Sequence, residues 1–169
     1  FFRTSKGIGK VLEFGGDGIG ALGLDERATL TNMSVEAGGF TGIIQADETV
    51  VDYIHETRGT DKDTIREGIV KSDPDAEYLE TFDIDLDNVP AMVATPGDPR
   101  NGVAVDDLED PVAIDIAYGG SCTGGKKADM DMYALVLRAA VEQGKRVAEG
   151  VECYIQFGSQ AIRKYAEEQ

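Results

Sequence analysis

Long hydrophobic runs are missing from this 169-residue sequence, and so are the usual marks of export. No apolar stretch approaches the roughly 18 residues that a membrane-spanning helix requires. The N-terminal residues FFRTSKGIGK lack the apolar core and small-residue cleavage site of a signal peptide. The composition, with 41% hydrophobic and 28% charged residues, is that of an ordinary globular protein with a core of its own. We therefore predict a cytoplasmic chain that does not contact the membrane.

Cysteine and histidine are scarce, which excludes several kinds of site built from this chain alone. Cys122 and Cys153 lie 31 positions apart and form no C-x-x-C motif, so neither a disulfide scaffold nor a self-contained zinc site is expected. Cys153 lies in an apolar stretch and is predicted to be a buried, unreactive core residue. His55 is the only histidine, and we expect it at the surface near a helix end.

Positive charge is also in short supply, with 16 Lys and Arg against 32 Asp and Glu and a net charge of −16. A nucleic-acid partner is disfavoured, because neutralising phosphates requires a basic surface. Residues 45–115 hold 20 acidic and 5 basic side chains, so this segment carries nearly all of the net charge. A solvated acidic surface is the simplest interpretation. Metal chelation by this segment is a second interpretation, but the acidic residues do not have EF-hand spacing. A salt-adapted surface is a third.

Strands alternate with helices near both ends of the chain, which predicts an α/β fold with mostly parallel sheets. We predict three segments: a first α/β lobe in residues 1–57, an acidic connector with short strands in 58–110, and a second α/β lobe in 111–169. The predicted strands cover residues 8–14, 41–46, 112–118 and 151–157, and one or two exposed strands are expected within 58–110, where 77–86 shows imperfect apolar alternation. The predicted helices cover residues 26–37, 48–56, 128–143 and 159–168, with Asp25 and Ser159 as N-caps of the first and last.

The loop Gly119–Gly125 is the first candidate site, because it follows a predicted strand and opens a predicted helix. Ligands bind at that edge of parallel α/β sheets, and glycine around Cys122 keeps bulk away from its sulfur. Lys126 and Lys127 add positive charge. A catalytic thiol, a phosphate loop and a metal or cluster ligand are the functional alternatives, beside a simple tight turn. The thiol would need a nearby base, and the sequence does not match the phosphate-loop motif.

The predicted helix after Asp25 is the second candidate site. Thr29, Asn32 and Glu36 follow one another at helical spacing and would share one stripe. Asn32 and Glu36 could form a hydrogen-bonding pair in a cleft, or they could face water. Four arginines could hold a carboxylate substrate, although arginine on a helix usually makes surface pairs; they are Arg27, Arg100, Arg138 and Arg163.

Several ordered blocks of this sequence resemble the aconitase superfamily, and most closely the large subunits of 3-isopropylmalate dehydratase and homoaconitase. The blocks are TNMSVEAG at 31–38, DET at 47–49, GSCT at 120–123 and FGSQ at 157–160. The resemblance covers nearly the whole chain. It implies aconitase-like three-layer α/β lobes.

The resemblance also implies a chemistry, the isomerisation of a hydroxy acid by dehydration and rehydration. Members of the superfamily hold a 4Fe-4S cluster on three cysteines, and an open iron stabilises the departing hydroxide. By position, Cys122 resembles a cluster and metal ligand, with Ser121 and Thr123 beside it in the cofactor-binding loop. Glu36 resembles an active-site glutamate that works with a histidine from elsewhere, and Asn32 an asparagine near cluster and substrate.

Parts of the superfamily pattern are missing from these 169 residues. The two remaining cysteine ligands, the histidine-bearing segment and the small swivelling domain or subunit would come from outside this chain. The expected partners are a small carboxylic acid, such as 3-isopropylmalate, homoaconitate or citrate, and the rest of a large subunit. Gly124 stands where the superfamily usually has asparagine. The alternative function is a non-catalytic aconitase-like module whose acidic 45–115 segment binds a basic partner.

Overall fold

The computed structural model describes residues 6–109 and 112–169, and the chain divides into two compact units, Phe1–Leu108 and Glu109–Gln169. The predicted boundary between the connector and the second lobe, at residues 110 and 111, lies outside the described residues, as do residues 1–5 of the first lobe. None of the helices in the described part of the chain is both long and apolar enough to cross a membrane.

The first unit begins with a β-α-β-α pattern, as the sequence predicts. Its elements in chain order are β1 (Val11–Phe14), α1 (Asp17–Ala21), α2 (Leu24–Asn32), β2 (Thr41–Ile44) and α3 (Glu48–Arg58). Strands β1 and β2 pair in parallel, with Val11 opposite Thr41 and Phe14 opposite Ile44. The short helix α1, which the sequence analysis did not predict, lies in the glycine-rich stretch after β1.

Helix α2 differs from its predicted bounds at both ends. Gly23 rather than Asp25 is the N-cap, and the carboxylate of Glu26 accepts a hydrogen bond from the Gly23 N–H at 2.7 Å. The helix ends at Asn32, and residues 33–38 form successive turns. Gly38 has a φ of 81°, a left-handed conformation that glycine adopts without strain, and there the chain reverses towards β2.

The rest of the first unit is less regular. It contains α4 (Lys62–Glu67), two 3₁₀ turns at Leu86–Asn88 and Val105–Asp107, and the antiparallel pair β3 (Met92–Ala94) and β4 (Gly102–Ala104). Short strands were expected in this region, and β3 and β4 are such strands; they do not include residues 77–86, whose apolar alternation forms no strand. Helix α4 was not predicted; Asp61 caps it by accepting from the N–H groups of Asp63 and Thr64.

The second unit repeats the parallel β-α-β arrangement. Its elements are β5 (Ile116–Gly119), α5 (Ser121–Gly124), α6 (Lys127–Glu142), β6 (Glu152–Ile155) and α7 (Gln160–Glu167). Strands β5 and β6 pair in parallel, with Ile116 opposite Glu152. Ser159 caps α7 as predicted, because its hydroxyl accepts from the Ile162 N–H. The α/β class with mostly parallel strands is therefore confirmed.

Few side chains are fully buried among the described residues, which departs from the expected self-contained core. The buried apolar ones are Ala37, Val51 and Met130. Both faces of β6 are exposed, so the prediction that Cys153 is buried is wrong. The reason is geometric, since a sheet of two strands leaves open faces and edges. Large apolar side chains on strands and on α6 stay exposed; they include Val11, Ile43, Ile116, Tyr154, Leu135 and Val136.

Candidate functional site

The candidate residues fall in both units. Asn32 and Glu36 lie in the first unit, and Ser121, Cys122 and Thr123 lie in the second. Asn32 is the last residue of α2, whereas Glu36 lies in the turns that follow it. The predicted helical stripe through Thr29, Asn32 and Glu36 is therefore wrong, because the helix ends before it reaches Glu36. Both Asn32 and Glu36 are exposed.

Ser34 anchors the segment that carries Asn32 and Glu36, and sequence reasoning did not single it out. Its side chain is 1% exposed, and its hydroxyl donates to the Leu30 carbonyl at 3.3 Å. A Cβ on Gly42 of β2 would lie 2.3 Å from the Ser34 Oγ and 2.7 Å from the Thr31 Cα. Glycine at position 42 therefore lets the end of α2 pack directly on β2 and brings the 31–38 block to this strand.

Arg27 is buried, contrary to the surface pair that its helical position suggested. Its Nε donates to the Leu22 carbonyl at 2.9 Å, and its Nη1 lies 2.8 Å from the Asp47 Oδ1. The charges are in contact, although Nη1 lacks hydrogen-bond geometry to an acceptor. Arg27 holds the pKa of Asp47 below its ordinary value, and the same carboxylate caps α3 through the Thr49 N–H. The ion pair thus connects α2 to the start of the 47–49 block.

An open groove of about 390 Å³ lies beside this ion pair. Arg27 is the charged residue in its lining, and the other lining residues are Leu24, Ala28, Thr31, Gly42, Ile43, Ile44 and Val50. Asn32 and Glu36 are not among them. The groove is therefore a mostly apolar hollow between α2 and β2, distinct from the candidate polar residues.

The cysteine loop, residues 119–125, is packed tightly against the chain that follows β6. A Cβ on Gly120 would lie 2.1 Å from the Gln156 carbonyl oxygen, and one on Gly125 would lie 2.7 Å from the Gly158 nitrogen. The Gly158 N–H donates to the Gly125 carbonyl at 2.8 Å. The cysteine loop, which contains the GSCT block, is therefore hydrogen-bonded to Gly158 of the FGSQ block.

Cys122 lies in the single helical turn α5 and its side chain is exposed. Its Sγ is 3.7 Å from the Thr123 Oγ1. The preceding residue, Ser121, has a φ of 69°, the left-handed region that residues with a Cβ rarely occupy. Such strain persists where surrounding contacts enforce it, and it is often found at functional sites. The cysteine is thus presented outwards on a constrained turn.

The two lysines after the loop are engaged in contacts of their own. The Lys126 Nζ donates to the Thr123 carbonyl and lies 2.9 Å from the Asp129 carboxylate. The Lys127 Nζ lies 4.6 Å from the centre of the Tyr165 ring. Of the two positive charges near Cys122, that of Lys126 is therefore paired with Asp129, whereas Lys127 lies over the Tyr165 ring.

Tyr133 of α6 lies behind the cysteine loop and was also not singled out from the sequence. Its hydroxyl donates to the Gly124 carbonyl at 3.0 Å. A Cβ on Gly124 would lie 3.0 Å from the Tyr133 Oη. This close approach is a structural reason for glycine at the position where the resemblance leads one to expect asparagine.

The donor set of this loop fits one corner of a metal cluster. Within residues 6–109 and 112–169, no three His, Cys, Asp or Glu side chains converge to hold a metal ion. Cys122 supplies one exposed thiol, and the glycines at 119, 120, 124 and 125 let the loop pack against Tyr133 and residues 156–158 behind it. The loop can therefore contribute a single ligand, and further ligands would have to come from outside the described residues.

Comparison with known proteins gives matches along the whole chain. The profile of the aconitase family (aconitate hydratase) matches residues 1–112 and 107–169. The 3-isopropylmalate dehydratase large subunit of Caldicellulosiruptor saccharolyticus is 35% identical over 159 residues, which cover 93% of this chain and 34% of that protein.

Two further relatives give the same picture. The 2,3-dimethylmalate dehydratase large subunit of Eubacterium barkeri is 39% identical over 85% of this chain and 32% of its own length. The 3-isopropylmalate dehydratase large subunit of Clostridioides difficile is 37% identical over 90% of this chain and 35% of its own length. The chain thus spans about a third of the length of these curated relatives.

Proposed function

Because this chain belongs to the aconitase family, we propose that it supplies part of the active site of an iron-sulfur hydro-lyase. The reaction is the isomerisation of a hydroxy di- or tricarboxylic acid by dehydration and rehydration. The observation that carries this proposal is Cys122, exposed on a constrained turn whose neighbours are glycines. The relatives are named dehydratases of 3-isopropylmalate and 2,3-dimethylmalate, and substrates of this class are part of the proposal.

Cys122 is the proposed cluster ligand of this chain, with the backbone of Ser121 and Thr123 forming its surroundings. A 4Fe-4S cluster, when bound, supplies a Lewis-acidic iron for the departing hydroxide of the substrate. The other two cysteine ligands would lie outside these 169 residues. Exposure of the thiol and its position on the constrained turn after Ser121 support this assignment.

Glu36 and Asn32 are the proposed polar groups of this chain at the substrate. In the dehydration step a base removes a proton from one carbon, the C–H electron pair forms the double bond, and hydroxide leaves the neighbouring carbon as water after protonation. An exposed carboxylate such as Glu36 can hold or move that second proton. The Asn32 amide can orient a carboxylate or hydroxyl of the substrate by hydrogen bonding. Rehydration reverses these transfers.

The proposed partners follow from the share of the relatives that this chain covers. These relatives are named large subunits, and we expect the remainder of a large subunit and a small swivelling domain or subunit to complete the site. A cytoplasmic location remains a prediction.

The test compares two cysteines of the same unit in the full-length protein. After anaerobic reconstitution with iron and sulfide, Cys122→Ser should lose the iron-sulfur charge-transfer absorption and the hydro-lyase activity. Cys153→Ser is the matched control, since this thiol is also exposed, and it should retain both. The isolated 169 residues should stay colourless, because one thiolate does not hold the cluster.

Two outcomes would contradict the proposal. One is a full cluster complement in Cys122→Ser, and the other is a stable stoichiometric cluster on the 169 residues alone. A full-length protein that binds no cluster at all but captures a basic partner would favour the non-catalytic module instead.

A further inference from the structure

We infer that Tyr133 is a positioning residue that holds the cysteine loop in the conformation from which Cys122 faces outwards. The inference rests on the proposed function only for the identity of the ligand that Cys122 binds. The contacts that carry it belong to the second unit alone. Tyr133 acts through the backbone of the loop, and no direct contact with a ligand is part of the inference.

Tyr133 touches the loop at both of its ends. Its hydroxyl donates to the Gly124 carbonyl at 3.0 Å, at the end of the turn that contains Cys122. Its ring lies against Gly119, where an added Cβ would be 3.0 Å from Cζ and 3.2 Å from Cε1. The side chain is half-buried. One aromatic residue therefore fixes the last residue of β5 and the last residue of α5.

The bond from Tyr133 ties the loop to a long helix. Three successive carbonyls at the end of the loop accept hydrogen bonds: Thr123 from Lys126, Gly124 from Tyr133 and Gly125 from Gly158. Lys126 is three residues from Thr123 and moves with the loop, whereas Tyr133 lies well inside the 16-residue helix α6. Functional groups are positioned most precisely by such rigid elements.

The strained residue beside Cys122 is the reason this bond matters. Ser121 holds a φ of 69°, and a residue with a Cβ stays in this left-handed conformation only where its surroundings enforce it. Loss of the Tyr133 hydroxyl removes one of these constraints. Ser121 can then relax, and the thiol that follows it changes position and becomes more mobile.

The experiment measures alkylation of the two cysteines in the cluster-free full-length protein, by iodoacetamide and peptide-resolved mass spectrometry across pH. Cys153, exposed on β6, is the internal reference. Tyr133→Phe should raise the ratio of the Cys122 rate to the Cys153 rate by about three- to tenfold, the equivalent of one neutral hydrogen bond. Tyr165→Phe is the matched control, because its hydroxyl bonds to Asp131, and it should leave the ratio unchanged.

A general loosening of the fold would raise both rates together, so the ratio separates positioning from structural damage. An unchanged or lowered ratio in Tyr133→Phe, or an equal rise in Tyr165→Phe, overturns the inference. The alkylated protein carries no cluster, so the ratio does not depend on whether Cys122 binds one. Failure of the proposed function would appear as an absence of iron-sulfur absorption in the reconstituted wild type, whatever the alkylation ratio is.

A second pair of variants tests the same contact, and its first member, Gly124→Ala, decides the matter alone if Tyr133→Phe does not fold: an unchanged or lowered ratio then overturns the inference. Gly124→Ala places a methyl group 3.0 Å from the Tyr133 Oη and should raise the same ratio by pushing the hydroxyl from its carbonyl. In Gly124→Ala/Tyr133→Phe the crowding is relieved and the hydrogen bond is already lost, so the two effects should not multiply. Multiplicative effects would show that Tyr133 and the loop are independent and would refute the inference.

Discussion

The two parallel β-α-β segments of this protein hold their candidate residues in opposite ways. In β1-α2-β2 the TNMSVEAG block begins at the end of the helix, and the close contact is made by Gly42 of β2 against that end. In β5-α6-β6 the candidate loop precedes the helix, and the close contact is made by the loop itself against residues 156–158. The same supersecondary unit thus fixes a helix end in one case and the loop that carries Cys122 in the other.

This difference has a consequence for function. In the first unit, packing at Ser34 and Gly42 positions the end of α2 and the turns after it, where Asn32 and Glu36 remain exposed. In the second unit, the glycines, Lys126 and Tyr133 constrain the turn that contains Cys122. A metal ligand has to be held at a defined position. The constraint on Cys122 fits its proposed role.

Breaking the loop contact of the second unit should have the largest effect on stability. Gly120→Ala combines a φ of 129° with a Cβ 2.1 Å from the Gln156 carbonyl oxygen, and we expect a loss of about 3 kcal/mol or more. Hydrogen exchange of peptides covering residues 116–125, followed by mass spectrometry, measures it. Gly144→Ala, with a φ of 69° and open space around its Cβ position, should cost only about 1 kcal/mol. Equal losses would refute the loop contact.

A smaller loss is expected when the contact of the first unit is broken. Gly42→Ala would place a methyl group 2.3 Å from the Ser34 Oγ, and the serine or the helix end must shift at a cost of about 2 kcal/mol. Exchange in peptides covering 30–44 should accelerate while the cysteine loop stays protected. Gly20→Ala in α1, where the added methyl group meets open space, should be neutral or slightly stabilising. Acceleration in Gly20→Ala would contradict this account.

Removing a helix cap in each unit should have the next largest effect on stability. Ser159→Ala removes the acceptor of the Ile162 N–H at the start of α7, and Asp61→Ala removes the cap of α4. Each should destabilise its own helix by about 1 kcal/mol. The exchange rates of the two helices measure both effects. A change in the cysteine loop caused by Ser159→Ala would mean that the α7 cap belongs to the loop constraint.

The smallest effect concerns the acid stability of the first unit. The pKa of Asp47 is held below its ordinary value by Arg27, so the ion pair contributes fully above the unfolded value, about pH 4. Its contribution disappears as the pH falls through the lower folded value. Asp47 is 44% exposed on its side chain, which limits the contribution to about 1 kcal/mol or less. Asp47→Asn keeps a capping side chain and isolates the charge.

Hydrogen exchange at the start of α3, measured at increasing urea concentrations, tests the acid effect. The difference in stability between wild type and Asp47→Asn should be present at pH 6 and should shrink as the pH falls below about 4. A difference that is independent of pH would mean that the substitution acts through the α3 cap at Thr49 and not through the charge of the ion pair.

Periodicity and capping residues in the sequence predicted most of the regular elements. Helix α6 begins and ends within one residue of its prediction, and Ser159 caps α7 as expected. The errors have local causes. Helix α2 stops at Asn32 because the chain turns back over Ser34 towards β2, a tertiary contact that periodicity does not report. Residues 77–86 have an imperfect apolar alternation but find no pairing strand among the described residues.

The candidate site was only partly accessible to sequence reasoning. Cys122 stood out because its neighbours are glycines, and Asn32 and Glu36 because their block resembles a known one. Tyr133 and Ser34 were missed because an aromatic residue on a helix and a serine after one are common in any sequence. The available signal was the glycine facing each of them, Gly124 and Gly42, since a missing side chain marks the point where another group comes close.

Local periodicity and residue identity were enough to predict the α/β class, the position of the candidate thiol and the resemblance of the motif blocks. Three features became visible in the fold alone: Glu36 lies beyond the end of α2, Arg27 is buried against Asp47, and the cysteine loop is hydrogen-bonded to Gly158 of the FGSQ block. Those features depend on contacts between residues far apart in the chain, and the local sequence of one segment does not predict such contacts.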